Sequence, residues 1–329
     1  MTSEQTFTFP EFEDLPTVPG APQGCIWGMY DRDGQKDQVG AINLLTPAVV
    51  RAASLEIKTG SHVQLDWALN NLEFPCFGRR PFEQKVMDGS KTVGVYGFDD
   101  EIHMNTQSGS QWDSLKHYAY QVGRVFYNGL TFEKALVSTT NGIHNWCERG
   151  GIVGRGVLID MVRFYEKRDG KAPDPWKRFE ISAADLKAAL ADQGTVPKQG
   201  DLLLIRSGYV RRHDHASSEE RKLGTSGTDT EAIGVANNEE TVKWLYSQHF
   251  AAHIGDTLAF EAWPPPHGGK WIIHEWSLVW WGAPLGEMWN LEGLAAECEI
   301  QQRWTFFVTS APLHVKGGVG SPPGAIAIF

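Results

Sequence analysis

The sequence predicts an α/β domain in which strands dominate and scattered helices lie in one layer. Three observations predict it. Short apolar runs of buried-strand type recur along the chain, capped helical segments separate them, and no internal repeat or low-complexity linker divides the 329 residues. With 41% hydrophobic residues the chain is long enough for one large core.

The strands come first. Residues 62–69 (HVQLDWAL) alternate weakly. Residues 156–162 (GVLIDMV), 201–206 (DLLLIR) and 304–309 (WTFFVT) are apolar runs, and 325–329 (AIAIF) form a last strand. Helices are fewer. Ser182 and Asp185 form a capping box ahead of Leu186 and Leu190, with Gly194 as the stop. Asn237 or Asn238 caps a helix through Val242 and Leu245. Asn290 caps Leu291–Gln302, with Leu291, Leu294, Ala295 and Cys298 on one face. Residues 213–230 read as a polar, Gly- and Ser-rich loop, and 263–270 (WPPPHGGK) as a rigid turn; such loops are either lids or plain surface excursions. Residues 1–24, rich in Pro, Glu and Thr, read as an extended N-terminal arm, disordered or laid across a neighbouring subunit. Residues 25–329 read as the single catalytic domain.

Composition excludes several classes. A formal charge of −10 without basic clusters argues against nucleic-acid binding. No apolar run approaches a membrane span, and the acidic N-terminus lacks a signal-peptide core. Four scattered cysteines with no C-x-x-C pair argue against a zinc knot and fit free thiols in a reducing cytoplasm.

The chemistry concentrates in residues 103–120, HMNTQSGSQWDSLKHYAY. Two amides (Gln107, Gln111), one carboxylate (Asp113) and two imidazoles (His103, His117) fall around Gly109. Gln107, Gln111 and Asp113 alternate with Ser108, Ser110 and Trp112, so they converge on one side of a strand or tight turn. Asp113 and His117, four apart, would share a face of a helix. A carboxylate with an imidazole is the minimum for general acid–base work; the alternative is that these groups satisfy each other and the backbone. Farther on, His274 precedes an apolar run that contains Glu287. A lone histidine there fits a satisfied core group. A glutamate in such a run needs a partner or a task, or else favours a helix dipole. His213 and His215 read as a solvated loop, His253 as a core polar group in a strand, and Ser110 as a turn hydrogen-bonder that lacks a nucleophile elbow. His103 is a candidate pocket residue.

The stretch Gln107-Ser-Gly-Ser-Gln-Trp-Asp-Ser-Leu-Lys-His117 resembles the signature H-x-G-T-H-x-D-x-P-x-H of the cyclase family of metal-dependent hydrolases, which includes bacterial kynurenine formamidase and isatin hydrolase. Further blocks follow in family order: Trp27-Gly28 with residues 40–47 (GAINLLTP), 154–160 (GRGVLID), 200–208 (GDLLLIRSG), Gly255-Asp256 with Glu261, then His274, Glu287, Ala311-Pro312-Leu313 and 317–322 (GGVGSP). The resemblance implies a single-domain mixed sheet or flattened barrel, a ββα sandwich with peripheral helices, assembled as a homodimer or homotetramer. It implies that Asp113, His274 and Glu287 hold a divalent ion and that His117 moves the proton.

Gln107 and Gln111 depart from the pattern, standing where the signature has histidines. Their amide oxygens are neutral, hard ligands that suit Mg, Mn or Ca better than Zn. The reading is therefore at most one ion (Mn, Zn or Mg), held by Asp113, His274 and Glu287 with Gln111 and Gln107 nearby, or none. In the metal-bound reading the protein is a hydrolase of a small cyclic amide, lactone or aryl formamide, with His117, Asp113 and Gln111 as catalytic groups and Trp112, His103 and Ser110 lining the substrate; Trp276 and Trp281 are further aromatic candidates. Without an ion, Gln111 would donate to an oxyanion beside His117 and a carboxylate, in a lyase or cyclase. A third reading is an inactive family member that binds a ligand.

Overall fold

Nine strands hydrogen-bond into one mixed sheet that carries the chain's chemistry at one end. The computed structural model describes residues 7–227 and 229–329. In chain order the strands used below are β1 (His62–Gln64), β2 (Glu83–Asp88), β3 (Phe98–His103), β4 (Gln111–Asp113), β5 (Ile152–Asp160), β6 (Leu202–Arg206), β7 (Ala252–Gly255), β8 (Leu285–Glu287), β9 (Thr305–Ser310), β10 (Gly320–Ser321) and β11 (Ala325–Ile328). The main sheet runs β1-β11-β9-β5-β6-β7-β8-β4-β10, and β2 with β3 forms a separate ribbon. The neighbours from β5 to β8 are parallel; the flanking pairs are antiparallel.

Burial follows that pairing. β6 and β7 are buried at every position, as parallel strands covered on both faces must be, so their sequences are apolar runs without alternation. β9, antiparallel on both sides, alternates half-buried and buried residues. Helices Met161–Asp169, Ala183–Asp192 and Glu239–Gln248 cover the sheet, each started by a side chain. Asp160 accepts from Arg163 N, Ser182 from Asp185 N and Asn238 from Thr241 N. Two buried arginines of the sheet are paired. Arg155 meets Asp201 through Nε and Nη2 at 2.8 and 2.6 Å, and Arg206 bridges Asp160 and Glu292.

Three expectations change. Residues 213–230 are not an open loop: they contain the end of helix Tyr209–Asp214 and a second helix, Ser218–Thr225, closed by a full Ser217–Glu220 capping box. His213 is buried, its ring edge-on to Trp67 at 4.5 Å, because that helix turns its face inward. The strand at 62–69 ends at Gln64. Of the N-terminal segment, residues 1–6 lie outside the described residues, and residues 7–24 run over the chain's own core rather than away from it. Phe12 and Leu15 are buried, Phe9 stacks on His249 at 4.2 Å, and Tyr246 donates to the Pro10 carbonyl. Among the described residues no helix is long and apolar enough to cross a membrane.

His253 is the core polar group expected in a strand. It is buried on β7, and its Nδ1 lies 2.9 Å from Ser277 Oγ. Burial pushes its pKa down to about 3. The native state therefore binds fewer protons than the unfolded chain between that value and the ordinary histidine value, so stability rises with pH across this window and falls as pH drops through it. Urea denaturation of wild type at pH 4 and pH 7 will show the loss. His253→Asn, which cannot titrate, will be less stable at pH 7 but will show a shallower decline toward pH 4.

Candidate metal and catalytic centre

The site is built where β8 pairs antiparallel with β4. The register sets Leu285 opposite Asp113, Gly286 opposite Trp112 and Glu287 opposite Gln111. Alternation along the strand then sends Gln111 and Asp113 to one face and Trp112 to the other. Gln111, Asp113 and Glu287 are all buried. Gln111 Nε2 donates to Glu287 Oε2 at 2.6 Å. Gly286 carries no side chain because a Cβ there would stand 2.9 Å from both Ile254 Cγ1 and Trp289 Nε1.

His274 enters from the helical turn that runs into the π-helical segment Glu275–Trp280. Its aim is set by Glu261, a buried carboxylate the sequence showed only as part of a block. Glu261 Oε1 accepts from His274 Nδ1 at 2.6 Å and from the His274 backbone N–H at 3.3 Å, and its other oxygen accepts from Ile273 N. That bond holds the proton on Nδ1 and leaves Nε2 facing Glu287 Oε1, 3.2 Å away. Space for Glu261 depends on Gly234, where a Cβ would lie 2.2 Å from the Glu261 carbonyl carbon.

One ligand atom each from Asp113, His274 and Glu287 lie within 4.8 Å of one another. The polar atoms around them are unmatched. Both Asp113 oxygens, Glu287 Oε1, Gln111 Oε1 and both amide atoms of Gln107 are buried without a well-formed hydrogen bond. Gln107 faces Asp113, and Gly320 makes room for its amide: a Cβ there would be 2.4 Å from Gln107 Nε2. Unpaired buried carboxylates are costly. Five unmatched acceptor oxygens beside an imidazole nitrogen are the surroundings a divalent cation needs, so the residues fit an ion.

The electrostatics agree. Burial raises the Asp113 pKa, with the His117 charge opposing it. Burial alone would lower the His274 pKa, but hydrogen bonds to Glu261 and Glu287 outweigh it and raise it well above the usual value. The two carboxylates thus favour positive charge at His274. His117 is shifted the other way: burial lowers its pKa, with Asp113 partly offsetting. Its Nε2 lies 3.9 Å from Asp113 Oδ2.

His117 also lines a cavity of about 450 Å³ with Tyr118, Tyr120, Arg124, Phe126 and Phe132. A larger cavity of about 790 Å³ lies across the 118–122 segment, walled by Tyr118, Tyr120, the 263–270 turn, Glu275 and Trp280. Neither is lined by the Asp113–His274–Glu287 cluster itself. His117 and Tyr118, whose ring centre is 4.9 Å from that of His274, stand between the cluster and these spaces.

Several assigned roles change. Trp112 does not face substrate: it is fully buried, donates from Nε1 to Ser310 Oγ at 2.9 Å and packs edge-on against Trp146 and Trp289, because its neighbours on the strand take the site face. Ser110 is also structural, donating to the Met288 carbonyl at 2.6 Å and accepting from Trp67 N at 2.7 Å. His103 is solvent-exposed at the foot of the β2–β3 ribbon, opposite Glu83. Gln111 donates one Nε2 hydrogen to Glu287 and so positions that carboxylate. Trp276 and Trp281 are core residues, bonded to the Lys270 and Gly24 carbonyls. The aromatic ring that does touch the cluster, Tyr118, carried no signal beyond its place after His117.

A mixed α/β sheet with a buried Asp–His–Glu cluster at β4 and β8 defines the class. The sequence pattern of the Cyclase family matches residues 35–262, and the chain belongs to that family. Asp113, His117 and Glu261 lie inside the match; His274 and Glu287 lie beyond it. A crystal structure described as a novel cyclase is similar with a TM-score of 0.78 at 31% identity, covering 92% of this chain and 99% of that one. Isatin hydrolase A from Ralstonia solanacearum shares the fold at a TM-score of 0.56 and 19% identity, covering 86% of this chain and 97% of that one. Isatin hydrolase A from Labrenzia aggregata, bound to benzyl benzoate, does so at 0.55 and 18%, covering 85% and 96%. No curated protein matches the sequence.

Two outcomes test the cluster. Glu261→Gln keeps the volume but weakens the hold on Nδ1, and will lower Mn affinity by roughly 10–100-fold in calorimetric titration. Asp113→Asn removes a buried carboxylate that has no well-formed hydrogen bond. It will raise the thermal midpoint of the metal-free protein by about 2 °C or more while abolishing metal binding.

Proposed function

We propose that this protein is a metal-dependent hydrolase that opens a small cyclic amide, a lactone or an aryl formamide. The observation that carries the reading is the set of unmatched buried oxygens on Asp113, Glu287, Gln107 and Gln111 around His274 Nε2. Membership of the Cyclase family and the fold shared with isatin hydrolases support it.

Asp113, His274 and Glu287 would hold one divalent ion; the oxygen-rich set favours Mn or Mg, with Zn less suited. Bound there, the ion supplies a polarised carbonyl and an acidified water. The chain's own residues do the rest. Glu261 fixes the His274 tautomer, and Gln111 fixes Glu287. His117, kept neutral by burial, accepts the proton of the attacking water and returns it to the leaving nitrogen or oxygen. Asp113, 3.9 Å away, stabilises the imidazolium while the proton resides there. Tyr118, Phe126 and Phe132 offer aromatic walls for a planar substrate.

Metal analysis of purified protein together with assays on lactone, cyclic-amide and aryl-formamide panels tests this reading. One divalent ion per chain and activity abolished by chelation are expected; absence of both removes it. His117→Asn will lower kcat by roughly 10²–10⁴-fold with metal content unchanged.

A further inference from the structure

The cavity of about 790 Å³ has a chemistry of its own. Its wall carries the rings of Tyr118, Tyr120, Trp263 and Trp280 and two charged side chains, Glu275 and Lys270. The backbone brings Glu275 and Trp280 to it together. They begin and end the π-helical segment, in which Trp281 N donates to the Trp276 carbonyl, five residues back. On an α-helix, residues five apart point about 140° away from each other. The wider π turn narrows that angle, so both side chains reach one space. Trp263 and the three prolines after it also line the cavity, so the 263–270 turn is a pocket wall rather than a plain surface excursion.

Glu275 is 5% exposed. Its Oε1 accepts from Gln121 N at 3.0 Å. Among the described residues that is its one hydrogen bond, and no cation pairs with it. A glutamate is almost never buried without a charged partner. Lys270, on the same wall, is not that partner. It is exposed, and its Nζ lies 4.4 Å from the ring centre of Trp271, which does not line the cavity. The four rings complete the picture. Aromatic faces carry partial negative charge and attract ammonium groups. An anionic ligand would meet a buried carboxylate of like sign, and a neutral one would leave that carboxylate unpaired.

We propose that this cavity binds an organic ammonium group carried on an aromatic or apolar body. Glu275 accepts its N–H, and Tyr118, Tyr120, Trp263 and Trp280 cover the carbons around it. Glu275 follows His274 directly in the chain, and the Tyr118 ring separates the cavity from the Asp113–His274–Glu287 cluster. The cation therefore sits beside the reaction centre rather than in it. If the protein is the hydrolase proposed above, this group is an arm of its substrate; only that last step rests on the hydrolase reading.

Calorimetric titration of the full chain with phenethylammonium, phenethyl alcohol and phenylpropanoate tests the site. The ammonium is expected to bind roughly ten-fold or more tighter than the alcohol, and the anion not at all. Glu275→Gln keeps an acceptor for Gln121 N and is expected to abolish the preference for the ammonium while the alcohol still binds. Trp263→Leu is expected to reduce the preference several-fold, and it decides the matter if Glu275→Gln does not fold. Saturating Mn is expected to leave ammonium binding unchanged, because the cluster does not line the cavity. Equal affinity for ammonium and alcohol overturns the proposal, as does a preference that survives both substitutions. Displacement of the ammonium by Mn also overturns it, since the cation would then lie between Asp113 and Glu287. Hydrolysis of the substrate panel without ammonium binding leaves the hydrolase reading and removes this one; ammonium binding without hydrolysis does the reverse.

Discussion

The antiparallel register between β8 and β4 is the constraint on which the site depends. It joins residues 285–287 to residues 111–113, far apart in sequence, and decides which side chains meet. A slip of one residue would turn Gln111, Asp113 and Glu287 toward the tryptophan core and Trp112 into the site. The core holds the register from behind. Trp112 is wedged between Trp146 and Trp289, Trp289 donates to the Gln111 carbonyl at 3.1 Å, and Gly286 leaves room for the Trp289 ring. Packing on one face of the sheet thus places chemistry on the other.

The cluster on that other face is costly by itself. Asp113 is fully buried with neither oxygen in a well-formed hydrogen bond, and Glu287 Oε1 has only His274 Nε2 near it, at 3.2 Å. Elsewhere the protein satisfies its buried acids. Asp256 accepts from Ser207 N, Ser207 Oγ and Gly208 N, Asp201 from Arg155, and Glu261 from His274 and Ile273. The contrast within one chain separates structural carboxylates from those kept for a ligand. The two glutamines belong to the same pattern. They add oxygen donors without adding charge, which keeps the cradle from becoming still more acidic.

Much of this was legible along the chain. Apolar runs marked β5 and β6 because strands buried on both faces must be apolar, and Ser182 and Asn238 marked helix starts because such side chains cap free N–H groups. Asp113, His117, His274 and Glu287 stood out as polar groups in patterned or apolar surroundings. Trp112 and Ser110 were assigned to the substrate against their alternation with Gln111 and Asp113, which puts them on the other face, although Ser110 is the hydrogen-bonder the sequence also suggested; His103 was misplaced because it lies on a separate ribbon. Residues 213–230 were misread because polar composition hid a capping box and an inward-facing His213.

The sequence by itself determined the repertoire: an α/β chain with buried strands, a cluster of metal-compatible side chains and an imidazole to carry protons. Those properties follow from local chemistry, which each residue carries wherever it sits. Only the tertiary structure decided the partners. The pairing of Gln111 with Glu287, the hold of Glu261 on His274, the burial of Asp113 without a well-formed hydrogen bond and the separate ribbon all join or separate segments distant in sequence. Such contacts arise from strand order and register, and no local signal encodes them.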